Sequence, residues 1–102
     1  MPPFLASFDY VESFSGGALV LRGRDGVAGL EMLHAQLANV LRSKKVKLAS
    51  SVFTPHVTLL RDRRLLPLKA VVPIEWTVTQ FVLVHSLLGK TIHRPLARFP
   101  LG

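Results

Sequence analysis

One stretch of the chain, from about Val27 to Arg42, carries apolar residues at helical spacing. Val27, Leu30, Leu33, Leu37, Val40 and Leu41 form one stripe, while Glu31, Gln36, Asn39 and Arg42 fall mainly on the other side. The rest of the chain reads in period two or in short apolar runs. Phe4, Ala6, Phe8 and Tyr10 alternate with Leu5, Ser7 and Asp9, which predicts a strand. Ser13 to Gly17 is a turn cluster, and Ala18 to Arg22 is a short apolar run that predicts a second strand, buried on both faces. Gly23 to Gly26 breaks that run, with Asp25 as the candidate cap of the helix. After the helix, Ser50 to Arg61 carries the central strand, Asp62-Arg63-Arg64 a polar turn, and Leu65 to Ala70 a connector. Val71 to Ile74 starts an extended segment whose Pro73 disfavours the middle of a sheet. Glu75 to Leu87 is long and β-rich, and Thr91 to Phe99 reads as a last strand shortened by Pro95. Strands outnumber helices, so the predicted fold class is α+β: a mostly antiparallel sheet with one main helix packed on it.

The 102 residues predict a single domain over 1–102 with a modest core, and 49% apolar residues argue against disorder. There is no cysteine, hence no disulfide scaffold and no thiolate metal site. His34, His56, His85 and His93 are scattered and show no metal-ligand spacing, Gly16-Gly17 and Gly23 fit no phosphate loop, and no cofactor is expected. No apolar run approaches the ~20 residues of a membrane span. Met1-Pro2-Pro3-Phe4 lacks the charged start and apolar core of a signal peptide, so a cytoplasmic location and no membrane partner are expected. The net charge of +7 favours anionic partners, nucleic acid first, although a basic surface also serves solubility. Lys44, Lys45 and Lys47 after the helix suit its C-terminal dipole and equally suit a phosphate-attracting rim. Aromatic residues are few and are not interleaved with the basic ones along the sequence, which gives no base-stacking platform.

The stretch Phe53-Thr54-Pro55-His56-Val57-Thr58-Leu59-Leu60-Arg61 carries the candidate chemistry. Proline fits the first position of a strand, and strand side chains alternate between faces. Alternation sends His56, Thr58 and Leu60 one way and Val57, Leu59 and Arg61 the other. An imidazole and a hydroxyl two residues apart suit a phosphate and proton transfer at its oxygens. A strand-start histidine and a surface threonine account for the same residues, and spacing alone favours that plainer reading, because short motifs recur by chance. His34 borders the helical stripe and is expected to be structural or solvated.

The same run resembles the second His-x-Thr-x motif of the 2H phosphoesterases, and most closely the RNA 2′,3′-cyclic phosphodiesterases, or 2′-5′ RNA ligase-like proteins. The resemblance extends to Pro3-Phe4, Ala18 to Leu21, Gly29-Leu30 with Leu33-His34 and Leu37, and Ile74-Glu75-Trp76 leading into Phe81 to Ser86. Leu96 and Phe99-Pro100-Leu101 resemble the family's closing segment. It covers nearly the whole chain and about the C-terminal half of the family's length, its second lobe. The resemblance implies two pseudo-symmetric lobes around a cleft, each supplying one His and one Thr or Ser. One imidazole acts as general base and the other as general acid, while the hydroxyls hold phosphate oxygens. It implies His56 and Thr58 as catalytic residues and Arg61 as substrate-binding. A second His-x-Thr or His-x-Ser is absent from the sequence, the neighbours His85 and Ser86 point to opposite faces of a strand, and His93 fits no catalytic motif. The site is therefore incomplete in one chain. Three readings follow, with a homo-oligomer expected under each: copies that share or double a site of His56 and Thr58 over RNA or a cyclic-phosphate nucleotide; a half-domain that binds phosphate or RNA without turnover; or a truncated, degenerate product stable only by self-association.

Overall fold

The computed structural model describes residues 1–48, 53–87 and 92–102. Its elements are β1 (Phe4–Ser13), β2 (Ala18–Arg22), α1 (Ala28–Ser43), β3 (His56–Arg61), β4 (Lys69–Val78), β5 (Gln80–Leu87) and β6 (Ile92–Pro100). The fold is α+β, one helix with a mostly antiparallel sheet, as the sequence predicts. The strands form a four-stranded sheet in the order β3-β2-β1-β4 and a two-stranded ribbon of β5 and β6. Contacts divide the chain into two compact units, Leu5–Trp76 and Met1–Phe4 with Thr77–Gly102.

In the larger unit, β1 and β2 form an antiparallel hairpin with Tyr10 opposite Arg22 and Val11 opposite Leu21. The turn is closed by hydrogen bonds from Phe14 N–H to the Ala18 carbonyl and from Gly17 N–H to the Phe14 carbonyl, at 2.8 and 2.9 Å. Gly17 has φ of 90°, and a Cβ there would sit 2.7 Å from the Asp62 carbonyl oxygen. Only glycine takes that conformation without strain. It also lets Asp62 N–H donate to the Gly17 carbonyl at 2.8 Å, which ties the end of β3 to the hairpin turn.

Phe8, Leu21 and Val27 make the buried cluster, with Val11, Leu30 and Val71 packed against it. Leu21 and Val11, opposite one another on one face of the hairpin, thereby meet Val27 and Leu30 at the start of the helix. The helical stripe is half-buried along Leu30, Leu33 and Leu37, and it opens to solvent at Val40 and Leu41. Asp25 does not cap the helix: its N-cap is Val27, with no side-chain hydrogen bond. At the other end Lys45 takes a positive φ of 61°, and Val46 N–H returns to the Leu41 carbonyl at 2.9 Å. The lysine run thus begins as a helix terminator.

Two strand expectations change. The segment from Glu75 to Leu87 belongs to two strands of different sheets, separated at Thr79, and β4 starts further upstream, at Lys69. Pro73 lies within β4, which is an edge strand, where a missing backbone donor breaks no ladder on the open side. β3 is the opposite edge rather than a central strand, and residues 50–52 of the expected strand lie outside the described residues.

In the smaller unit, β5 and β6 pair antiparallel from Gln80–Pro100 to Leu87–Ile92. Pro95 does not shorten β6. The register passes from Leu83–Ala97 to Val84–Pro95 and skips Leu96, a bulge that absorbs the proline. Phe81 and Phe99 stack across the ribbon with ring centroids 4.9 Å apart. Among the described residues no helix is long and apolar enough to cross a membrane.

Candidate functional site

The site grows from the β2–β3 ladder. His56 lies opposite Arg22, Val57 opposite Leu21 and Thr58 opposite Val20; the register then skips Leu59, so that Leu60 faces Leu19 and Arg61 faces Ala18. Directly opposed residues share a face of the sheet. Ala18, Val20 and Arg22 alternate onto one face of β2, so His56, Thr58 and Arg61 stand together on that face. Strict alternation along β3 assigns Arg61 to the other side. The bulge at Leu59 overturns that expectation: one extra residue inverts the alternation beyond it. Leu60, expected beside His56, goes to the face of Leu19 and Leu21.

His56 is exposed, and its Nδ1 lies 2.7 Å from the Thr54 carbonyl oxygen. A carbonyl only accepts, so Nδ1 carries the proton and Nε2 of the neutral ring is the acceptor. The imidazole meets the Phe14 ring edge-on at 5.0 Å between centroids. Pro55, with no donor of its own, directly precedes the first residue of β3. On one side His56 borders an apolar hollow of about 530 Å³ whose wall includes Phe8, Leu30, Phe53 and Trp76. Arg61 borders a second, open hollow of about 420 Å³ beside Gly16, Gly17 and Asp62.

The face also carries residues that the motif alone does not indicate. Tyr10 and Glu12 of β1 share it with Arg22, which lies between Tyr10 on one neighbouring strand and His56 on the other. Arg22 Nη1 donates to Glu12 Oε1, and the two side chains are 29% and 24% exposed. The guanidinium lies 5.5 Å from the Tyr10 ring centroid and 5.8 Å from that of Phe14, and Arg24 covers the Tyr10 ring at 5.3 Å. Cations and rings therefore interleave in space although they do not in sequence, because hairpin pairing joins residues about ten positions apart. Arg22 Nε is buried and has no hydrogen-bond partner among the described residues, a state that costs about 1–3 kcal/mol if nothing fills it. Strand alternation through the Ser15-Gly16-Gly17 turn was the available signal for Tyr10, Glu12 and Arg22; nothing in the composition of β3 signals its bulge.

Two other histidines have partners of their own. His34 is half-buried and stacks on Phe53 at 4.1 Å, a packing role. His93 faces Ser86 across the β5–β6 ribbon, with Ser86 Oγ and His93 Nδ1 2.8 Å apart. Among the described residues no group of three or more His, Asp or Glu side chains converges on a metal position.

The model of the 2′-5′ RNA ligase superfamily matches residues 1–90. No curated protein matches the chain. Among solved structures, the chain is similar to TT0787 of Thermus thermophilus, with a TM-score of 0.65 and 25% identity. That alignment covers 98% of this chain and 61% of TT0787, so the chain spans less than two thirds of that relative's length.

Proposed function

Because the chain belongs to the 2′-5′ RNA ligase superfamily, we propose that it acts as a 2H phosphoesterase on RNA 2′,3′-cyclic phosphate ends or a related cyclic phosphodiester, with a site completed by a second copy. One observation carries the reading: His56, Thr58 and Arg61 share one sheet face, with the His56 Nδ1 held by a backbone carbonyl. In this reading Nε2 of one His56 removes a proton from water, whose oxygen attacks phosphorus. The P–O bond to one ribose oxygen breaks, and that oxygen takes a proton from the His56 of the second copy. Thr58 donates to a non-bridging oxygen and Arg61 offsets its charge. Two imidazoles in opposite protonation states are needed, and the chain has a single His-x-Thr, which is why the second copy enters.

Uncovered apolar surface supports self-association: Val57, Leu59 and Leu60 on edge strand β3 are 42–51% exposed, and Val72 on β4 is 85% exposed. The net charge of +7 supports an RNA partner. The single motif favours a second reading, a half-domain that binds phosphate or RNA without turnover.

The test is release of nucleoside monophosphate from a 2′,3′-cyclic nucleotide, with light scattering on the same sample. The enzymatic reading expects a dimer or larger assembly and a loss of ~10²–10⁴-fold in rate for His56→Ala, the range of one general acid or base. Equal rates for wild type and His56→Ala would remove the histidine from the chemistry. Absence of turnover, with phosphate binding weakened in His56→Ala, selects the binding-only reading.

A further inference from the structure

We infer that Arg22 is a phosphate-binding residue of the His56 face, and that Glu12 is the carboxylate that holds its guanidinium when no anion is bound; this rests on the reading above. Arg22 is the direct cross-strand neighbour of His56, and such neighbours have Cβ atoms ~5 Å apart. An anion held by the imidazole is therefore within reach of the guanidinium. Arginine presents five donors in a planar fork suited to phosphate. Glu12 occupies one nitrogen, Nη1. A second donor, Nε, is buried without a partner among the described residues. The Tyr10 and Phe14 rings hold the guanidinium in register, and Phe14 also holds the imidazole, so one ring fixes the spacing of both groups.

A purely structural ion pair makes the opposite prediction about its two members. If Arg22 and Glu12 only stabilise the hairpin, removing either charge acts in the same direction. If Arg22 binds phosphate and Glu12 competes with it, the two substitutions change phosphate affinity in opposite directions.

The experiment is a titration of the full chain with inorganic phosphate at constant ionic strength, read through backbone amide shifts in NMR, with thermal unfolding of each variant alongside. Arg22→Gln is expected to weaken binding about tenfold or more, the loss of a charged hydrogen-bond donor. Glu12→Gln is expected to tighten it by roughly two- to fivefold, the scale of one partly screened charge. Arg22→Lys keeps the charge without the fork and falls between wild type and Arg22→Gln. Weakening by both Arg22→Gln and Glu12→Gln, or by neither, would overturn the inference. Binding that depends on His56 but is indifferent to Arg22 overturns the inference alone and leaves the proposed function standing. Absence of phosphate binding by wild type overturns both.

Discussion

Leu21 and Val57 are direct partners across the β2–β3 ladder, yet Leu21 is 5% exposed and Val57 42%. The contrast runs the length of both strands. β2 is buried at Ala18, Val20 and Leu21, whereas every residue of β3 is exposed. β2 is flanked by strands on both sides and meets the helix start through Leu21. β3 is an edge with one hydrogen-bonded neighbour. The inner strand supplies stability and a fixed register. The edge strand borrows that register to hold an imidazole, a hydroxyl and a guanidinium on one side. In the proposed function, stability and chemistry are thus divided between two strands that share hydrogen bonds, and substitutions can separate them.

The largest effect comes from breaking the inner partner. Leu21→Ala is expected to destabilise the chain by ~2–5 kcal/mol, the range for a buried leucine. Val57→Ala on the edge is expected to stay near the ±0.5 kcal/mol of surface changes when the protein is dilute. Urea unfolding of both variants checks this. If a second copy covers β3, the Val57→Ala effect grows with protein concentration, because association stabilises the folded state by mass action. A large, concentration-independent effect for Val57→Ala would show that β3 is part of the core and break the contrast between the strands.

A smaller effect is expected where the two strands are tied together. Gly17→Ala puts a Cβ against the Asp62 carbonyl at a φ of 90°, a conformation that costs of order 1–3 kcal/mol for a residue other than glycine. The Asp62 N–H to Gly17 carbonyl bond has to stretch, so amide exchange at Asp62 should accelerate more than at Leu21. Uniform acceleration along both strands would mean that the turn is not what anchors the end of β3.

The periodic elements were legible in the residues. The boundaries of β2 match the Ala18-to-Arg22 run, and the helix begins one residue after Val27. Apolar spacing reports which side of an element is wet, and that was enough for the α+β class. Two kinds of feature were not legible. Bulges at Leu59 and Leu96 depend on how a neighbouring strand pairs, and no local residue pattern encodes that. Arg61 therefore joined the His56 face only once the ladder was known. Neighbour relations across the hairpin were equally hidden: Arg22 looked like the end of an apolar run, and only pairing sets it beside His56 on one side and Tyr10 on the other. The His-x-Thr pair was legible because its two members lie on one strand, two residues apart.

The smallest predicted effect tests whether β3 carries chemistry without carrying stability. Thr58 is exposed and lies opposite Val20, which is fully buried. Thr58→Val keeps the branched shape and removes the hydroxyl. In an exposed strand position valine is at least as well suited as threonine, so the urea midpoint should stay level or rise slightly. If Thr58 donates to a phosphate oxygen, the same change should lower turnover of a 2′,3′-cyclic nucleotide by roughly tenfold, the low end of the ~1.5–3 kcal/mol of a hydrogen bond to a charged group. That is well below the loss expected for His56→Ala, because a positioning bond is removed rather than the proton carrier. Stability and rate should therefore move independently at this residue, whereas at Leu21 any loss of rate should follow the loss of folded protein. A Thr58→Val variant with unchanged rate would confine the chemistry to His56 and its arginine neighbours; one that unfolds as readily as Leu21→Ala would show the hydroxyl to be structural.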